Sequence, residues 1–363
     1  MMNMIASASL PSVAASPHAG ELGSVGKVML KVMLALAPAT LCGFWFFGWP
    51  AVNVWLITVV ATLMGEAVSL RLMAKPVLPT LMDGSALLTG WLLALSLPPW
   101  APWWLGVVGG LFATVVAKQM FGGIGCNLFN PAMVARVALL VSFPVAMTVW
   151  VAPTAGVAHA PGWFDALQLT FGGAAPDAMT SATLLGHAKT ELSRGASLIQ
   201  LLSDGAQWSW SGLRAGSLGE TAVALIAAGG LAMMLMGLIT WHIPVAMLLG
   251  IALPAVIAHG ANPARYLDAG THILSGGAVL GAFFIATDYV TSPSSRGGQL
   301  VFGAGCGLLT WLIRTYGGYP EGVAFAVLLM NALTPVIDRV IKPRVYGRTW
   351  RGAPISSGKE RRS

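Results

Sequence analysis

Apolar runs of about 20 residues, the length a helix needs to cross about 30 Å of hydrocarbon, recur along nearly the whole chain. About ten segments meet or approach that length: 28–47, 51–70, 84–98, 103–119, 127–150, 219–239, 244–258, 271–287, 298–313 and 320–337. Only 9% of the residues are charged and 56% are hydrophobic, against about 25% charged in a soluble domain. The expectation is an all-α integral membrane protein. Several runs are short or interrupted by Gly and Pro, and lipid offers no partner for the backbone groups freed at such breaks. The broken spans are therefore expected to line a cavity where a ligand can sit.

Basic residues orient the spans, because short loops rich in Lys and Arg stay in the cytoplasm. Lys27 and Lys31 open the first run, Arg71 and Lys75 follow the second, Lys118 ends the fourth, and Arg296 lies between the eighth and ninth. Arg339, Lys342, Arg344, Arg348, Arg351, Lys359, Arg361 and Arg362 crowd the C-terminus. With both termini cytoplasmic, an even number of spans puts all of these on one side. The net charge of +7 is then an orientation signal and not a nucleic-acid footprint. The same arithmetic sends 151–218 to the outer, periplasmic face. The first 26 residues lack a basic stretch leading into an apolar run, so they read as a disordered tail and not as a signal peptide. Cys42, Cys126 and Cys306 are too far apart for a disulfide framework or a cluster built by this chain alone.

Two stretches look alike. Gly84-Ser85-Ala86-Leu87-Leu88 opens one short run and Gly276-Gly277-Ala278-Val279-Leu280 opens another; Gly122-Gly123 then leads to Phe129 and Asn130, as Gly317-Gly318 leads to Phe325 and Asn331. Five spans per half make the halves inverted relative to each other, and inverted repeats with broken helices hold ligand sites at their interface. The expected layout is a disordered tail at 1–26, a first five-helix repeat at 27–150, a loop at 151–218, a second repeat at 219–338 and a basic tail at 339–363.

Within the loop stands Asp177-Ala178-Met179-Thr180-Ser181-Ala182-Thr183. Small neighbours leave the Thr183 hydroxyl open to a bulky group. No Gly-x-Ser-x-Gly elbow accompanies it, and His187 has no evident orienting carboxylate, so a hydrolytic triad is not indicated. The bland alternative is that Thr180 or Ser181 caps a helix over 182–190.

This segment resembles the flavinylation motif, Asp-x-x-(Ser/Thr)-(Gly/Ser)-Ala-Thr, of the D subunit of the Rnf ion-translocating electron-transport complex, a relative of the B subunit of the sodium-pumping NADH:quinone reductase. Further blocks are similar in order: Asp83 to Thr89, Pro98 to Trp104, Phe129 to Val134 with Ser142-Phe143-Pro144, Ala286-Thr287-Asp288, Gly317 to Leu329, and Pro343 to Gly347. The resemblance implies that Thr183 carries FMN through a phosphoester, with Asp177, Thr180, Ser181 and Ala182 as its motif. It implies no catalytic residue and no metal site in this chain. It also implies a second, noncovalent flavin of the riboflavin type, with Asn127, Asn130 and Asp288 on the matching positions; Asn130-Pro131 reads equally as the cap of a half-helix.

The implied protein is one link of an electron wire in the bacterial inner membrane, assembled with the A, B, C, E and G subunits. It would be loaded by a flavin transferase and connected through the complex to NADH, ferredoxin and Na+ or H+ movement. Two alternatives stand beside it: a quinone-reductase B-type subunit, and a flavin-free solute permease on the same repeat. Tyr289 departs from the family's usual Pro, and Ala135-Arg136 from its Gly-Tyr. Arg136 within a span needs a carboxylate or a cofactor phosphate. Glu66 and Lys118 read as snorkelling residues near cytoplasmic ends.

Overall fold

The computed structural model describes residues 25–153, 161–172, 180–181, 183–193, 215–319 and 321–342. Apart from one two-residue ladder, the described chain is helical. Among the described residues, five helices are long and apolar enough to cross a membrane: α1 (Val25–Phe47), α2 (Trp49–Leu72), α4 (Trp103–Phe121), α9 (His242–Ala261) and α12 (Val323–Val340). Three shorter apolar helices lie among them, α3 (Ser85–Ser96), α5 (Pro131–Ser142) and α8 (Val223–Leu235). The 21-residue α11 (Arg296–Tyr316) and the short α10 (Ala269–Leu274) complete the second half. The described residues of the segment 151–218 include the helices α6 (Trp163–Gly172) and α7 (Leu184–Ser193).

The short helices stop where local chemistry stops them. Leu97 is extended before Pro98-Pro99, because a residue preceding proline is pushed out of the helical region. Twelve residues of α3 rise about 18 Å, which is less than the hydrocarbon thickness. In the run 271–287, expected as one span, α10 ends at Leu274 and Gly276 turns at φ +64° before a new helical stretch over 278–285. A side chain on Gly276 would strike the Arg314 guanidinium, so glycine answers both the positive φ and the close approach.

Corresponding helices pack alike in the two halves. α2 lies against α3 and α4, and α9 against α10 and α11. Glycines mediate these crossings, as is usual where helices approach without a hydrophobic driving force: Gly106 and Gly110 of α4 face Thr58 and Ala61, and Gly303 and Gly307 of α11 face Ile243 and Met247. Buried hydroxyls bond within their own helix, Thr58 to Val54 O and Thr62 to Val59 O at 2.7 Å, Thr114 to Gly110 O at 3.0 Å and Thr310 to Cys306 O at 2.7 Å. They therefore need no partner from lipid. Indoles tie α3 and its following turn to α1, Trp91 Nε1 donating to Thr40 Oγ1 at 2.8 Å and Trp100 Nε1 to Phe47 O at 3.0 Å. All three cysteines are free.

The ladder pairs β1 (Trp150–Val151) antiparallel with β2 (Thr180–Ser181). It ties the loop motif to the chain leaving α5. The tails at 1–24 and 343–363 lie outside the described residues, as does the Pro343 to Gly347 block.

Candidate functional site

A cleft of about 800 Å³ opens between the two halves, walled by the start of α1, the start of α3, the glycine turn before α5, and the segment 283–290. Asn127, Asn130 and Asp288 all stand in its wall, so the three residues expected at a second ligand do converge. Asn130 has extended backbone, precedes Pro131, and its Oδ1 accepts from Ala132 N at 3.1 Å and Met133 N at 3.3 Å. It caps α5, and its Nδ2 has no protein partner among the described residues. Asn127 Nδ2 donates to Phe129 O at 3.1 Å. Asp288 accepts from Val290 N at 3.3 Å and Thr291 Oγ1 at 3.1 Å. Asn331, with its amide turned to satisfy both neighbours, donates to Thr291 O and accepts from Asn130 N, bridging the two breaks. Tyr289 is also in the wall and its hydroxyl donates to Leu238 O, a tie that proline at this position lacks.

Glu66 and Lys118 are not snorkelling. They are 0% and 2% exposed, and Lys118 Nζ donates to both Glu66 carboxylate oxygens at 2.8 Å and to Ser85 Oγ at 2.7 Å. Gln119 Nε2 adds a further donor to Glu66 at 2.8 Å. The pairing has no local signature, because the partners are 52 residues apart and both lie near helix ends, where side chains are commonly exposed.

A second cavity of about 410 Å³ lies past the first, lined by Ser96, Arg136, Ser217, Glu220, Glu321 and apolar neighbours. Arg136 donates to Ser96 O and pairs with Glu321, so of its two possible partners it takes a carboxylate. Ser217 Oγ donates to Glu220 Oε1 at 2.7 Å. Consecutive residues open to different cavities: Ala132 and Phe284 wall the first, Met133 and Ile285 the second. These residues form the partition between the two cavities.

Thr183 sits at the amino end of α7. Its carbonyl accepts from His187 N at 2.8 Å and its Oγ1 from Gly186 N at 3.1 Å, the geometry of an N-cap. The capping residue is thus Thr183 and neither Thr180 nor Ser181, whose backbones pair with Val151 and Trp150. Asp177 and Ala182 lie outside the described residues. Thr183 is 5% exposed, and a group bonded to Oγ1 would displace its cover. His187 is exposed, and no imidazole or carboxylate bonds Oγ1 among the described residues.

Lys189, further along α7, was not singled out by its sequence context. Its Nζ donates to Arg314 O at 3.3 Å, to Tyr319 O at 3.2 Å and to Gly317 O. An ammonium with three donors fits the unpaired carbonyls at a helix C-terminus, and it locks α7 onto the end of α11. Lys189→Met should cost about 1.5 kcal/mol locally, read as at least roughly tenfold faster hydrogen exchange over 186–193, with helix α2 unaffected. Burial pushes the Lys189 pKa below the usual lysine range.

Residues 12–347 match the model of the NQR2, RnfD, RnfE family. The chain belongs to that family. It is 52% identical to the D subunit of the ion-translocating oxidoreductase complex of Halorhodospira halophila over 97% of this chain and 99% of the relative. The protein of the same name from Stutzerimonas stutzeri is 51% identical over 93% and 96%, and that of Shigella boydii 43% identical over 92% and 98%. For this family member, the matched region contains Thr183, Lys189 and every wall residue of both cavities.

Proposed function

We propose that this chain is the D-type membrane subunit of an ion-translocating oxidoreductase complex, an electron-transfer link that carries FMN in phosphoester linkage on Thr183 and a noncovalent flavin in the cleft. The observation that carries the covalent site is the placement of Thr183 Oγ1 at the amino end of α7. Helix amino ends favour phosphate groups through free N–H donors and the helix dipole, and Gly186 places no side chain beside Oγ1, so that only the remaining cover of Thr183 has to be displaced. The cleft suits a flavin through Asn127, Asn130 and Asp288, which offer both donors and acceptors to a pyrimidine edge, beside Phe283 and Phe284. A bound isoalloxazine supplies the redox chemistry; the chain holds it, orients it and keeps solvent away.

The finer architecture we infer is ten spans in two inverted five-helix repeats, 27–150 and 219–338, in the bacterial inner membrane. Both termini and the tails 1–26 and 339–363 would be cytoplasmic and the loop 151–218 periplasmic. The matched packing of α2 with α3 and α4, and of α9 with α10 and α11, supports the repeat. Partners would be the complex's A, B, C, E and G subunits and a flavin transferase, with NADH and ferredoxin reached through them.

The test is to produce the chain with and without its flavin transferase and run each on a denaturing gel. Flavin fluorescence should travel with the band only when the transferase is present, and the peptide containing Thr183 should carry the mass of FMN less water. A dark band despite an active transferase overturns the covalent site. Ferredoxin-independent quinone reduction by the intact complex would instead favour the B-type subunit of the quinone reductase.

A further inference from the structure

The cleft has two charged wall residues, Lys118 and Asp288, and they are held differently. Asp288 is turned into its own loop, bonded to Val290 N and Thr291 Oγ1. Lys118 is held between Glu66 and Ser85. Ser85 shares the cleft wall with Lys118, whereas Glu66 is fully buried and is not part of that wall. The pair is thus a fixed dipole, its ammonium toward the cleft and its carboxylate behind. Gln119 Nε2 braces the carboxylate from another direction, and Ser85 Oγ, which accepts from Lys118, donates to Asp83 Oδ1. All three ammonium hydrogens are committed, so Lys118 acts on an occupant by its field and not by a contact.

We propose that Lys118 is the residue by which the cleft favours an occupant that takes on negative charge, and so sets how readily the flavin read into this cleft is reduced. The inference rests on that reading of the cleft. Besides Asn127, Asn130 and Asp288 the wall carries Val28, Val32, Leu88, Leu92 and Phe283, and beside such apolar neighbours the positive end of the Lys118–Glu66 pair is screened less than in water. The electron comes from a one-electron carrier of the surrounding complex. Holding the ammonium in place beforehand means that no side chain has to reorganise when charge arrives.

The test uses the intact complex with the double substitution Lys118→Met and Glu66→Gln, which removes both charges and leaves no stranded partner, and Lys118→Arg beside it. Denaturation releases the noncovalent flavin for counting, and riboflavin is the probe for rebinding and redox titration. The expected result in the double variant is near-unchanged affinity for oxidised riboflavin and tenfold weaker relative affinity for its reduced form, a drop of about 59 mV for a one-electron couple. Lys118→Arg should stay close to wild type. A merely structural role would weaken both redox forms alike, and that result, or an unchanged potential, overturns the proposal. A wild-type complex that releases no noncovalent flavin refutes the reading of the cleft itself and this inference with it.

Discussion

Thr183→Val is expected to abolish denaturation-resistant flavin fluorescence completely, while the flavin released by denaturation stays at its wild-type amount. Valine keeps the branched shape of threonine and removes the oxygen to which the phosphate would be esterified. The same oxygen accepts from Gly186 N, so the substitution also loses a helix cap, at about 1 kcal/mol. That cost is too small to unfold a chain whose main buried core joins α1–α5 to α8, α9, α11 and α12 and does not depend on α7. Thr183→Ser keeps both the oxygen and the cap, and should retain fluorescence. The measurement is in-gel fluorescence beside flavin extraction on the same preparation. Fluorescence persisting in Thr183→Val would move the attachment elsewhere.

Lys118→Met alone is expected to be among the most destabilising single substitutions in the chain. It strands the Glu66 carboxylate, 0% exposed, with Gln119 as its remaining side-chain donor among the described residues. Removing one partner of a buried ion pair costs about 3–5 kcal/mol, whereas replacing both partners by neutral groups of similar volume is close to neutral. The double variant Lys118→Met, Glu66→Gln should therefore recover most of the loss. Thermal unfolding in detergent separates the cases, and equal stability of the single and double variants would show that the pair is not coupled. Non-additivity of this kind is expected only for groups in contact.

What could be read from the sequence follows from how local each cause is. Pro98-Pro99, Asn130-Pro131 and Gly276-Gly277 announce breaks through backbone rules that act on neighbouring residues, and the described helices do end or restart there. Length counting is less discriminating: it took 271–287 as one span, since a hydropathy window registers composition and is blind to the positive φ of Gly276. The convergence of Asn127, Asn130 and Asp288 came from resemblance and not from spacing. Partnerships across long separations left no local trace. Arg136 meets Glu321 across 185 residues, and Lys189 reaches Tyr319 across 130. Thr183 lies between these cases, because its motif marked the residue while its role as the cap of α7 required the fold.

The partition at Ala132–Met133 and Phe284–Ile285 has an electrical consequence. A transmembrane voltage falls mainly across material of low dielectric constant. Were both cavities to fill with water, the material left between them at this partition would carry most of the drop. An elementary charge crossing that layer would exchange close to the whole membrane potential, about 2.3 kcal/mol per 100 mV, within one short displacement.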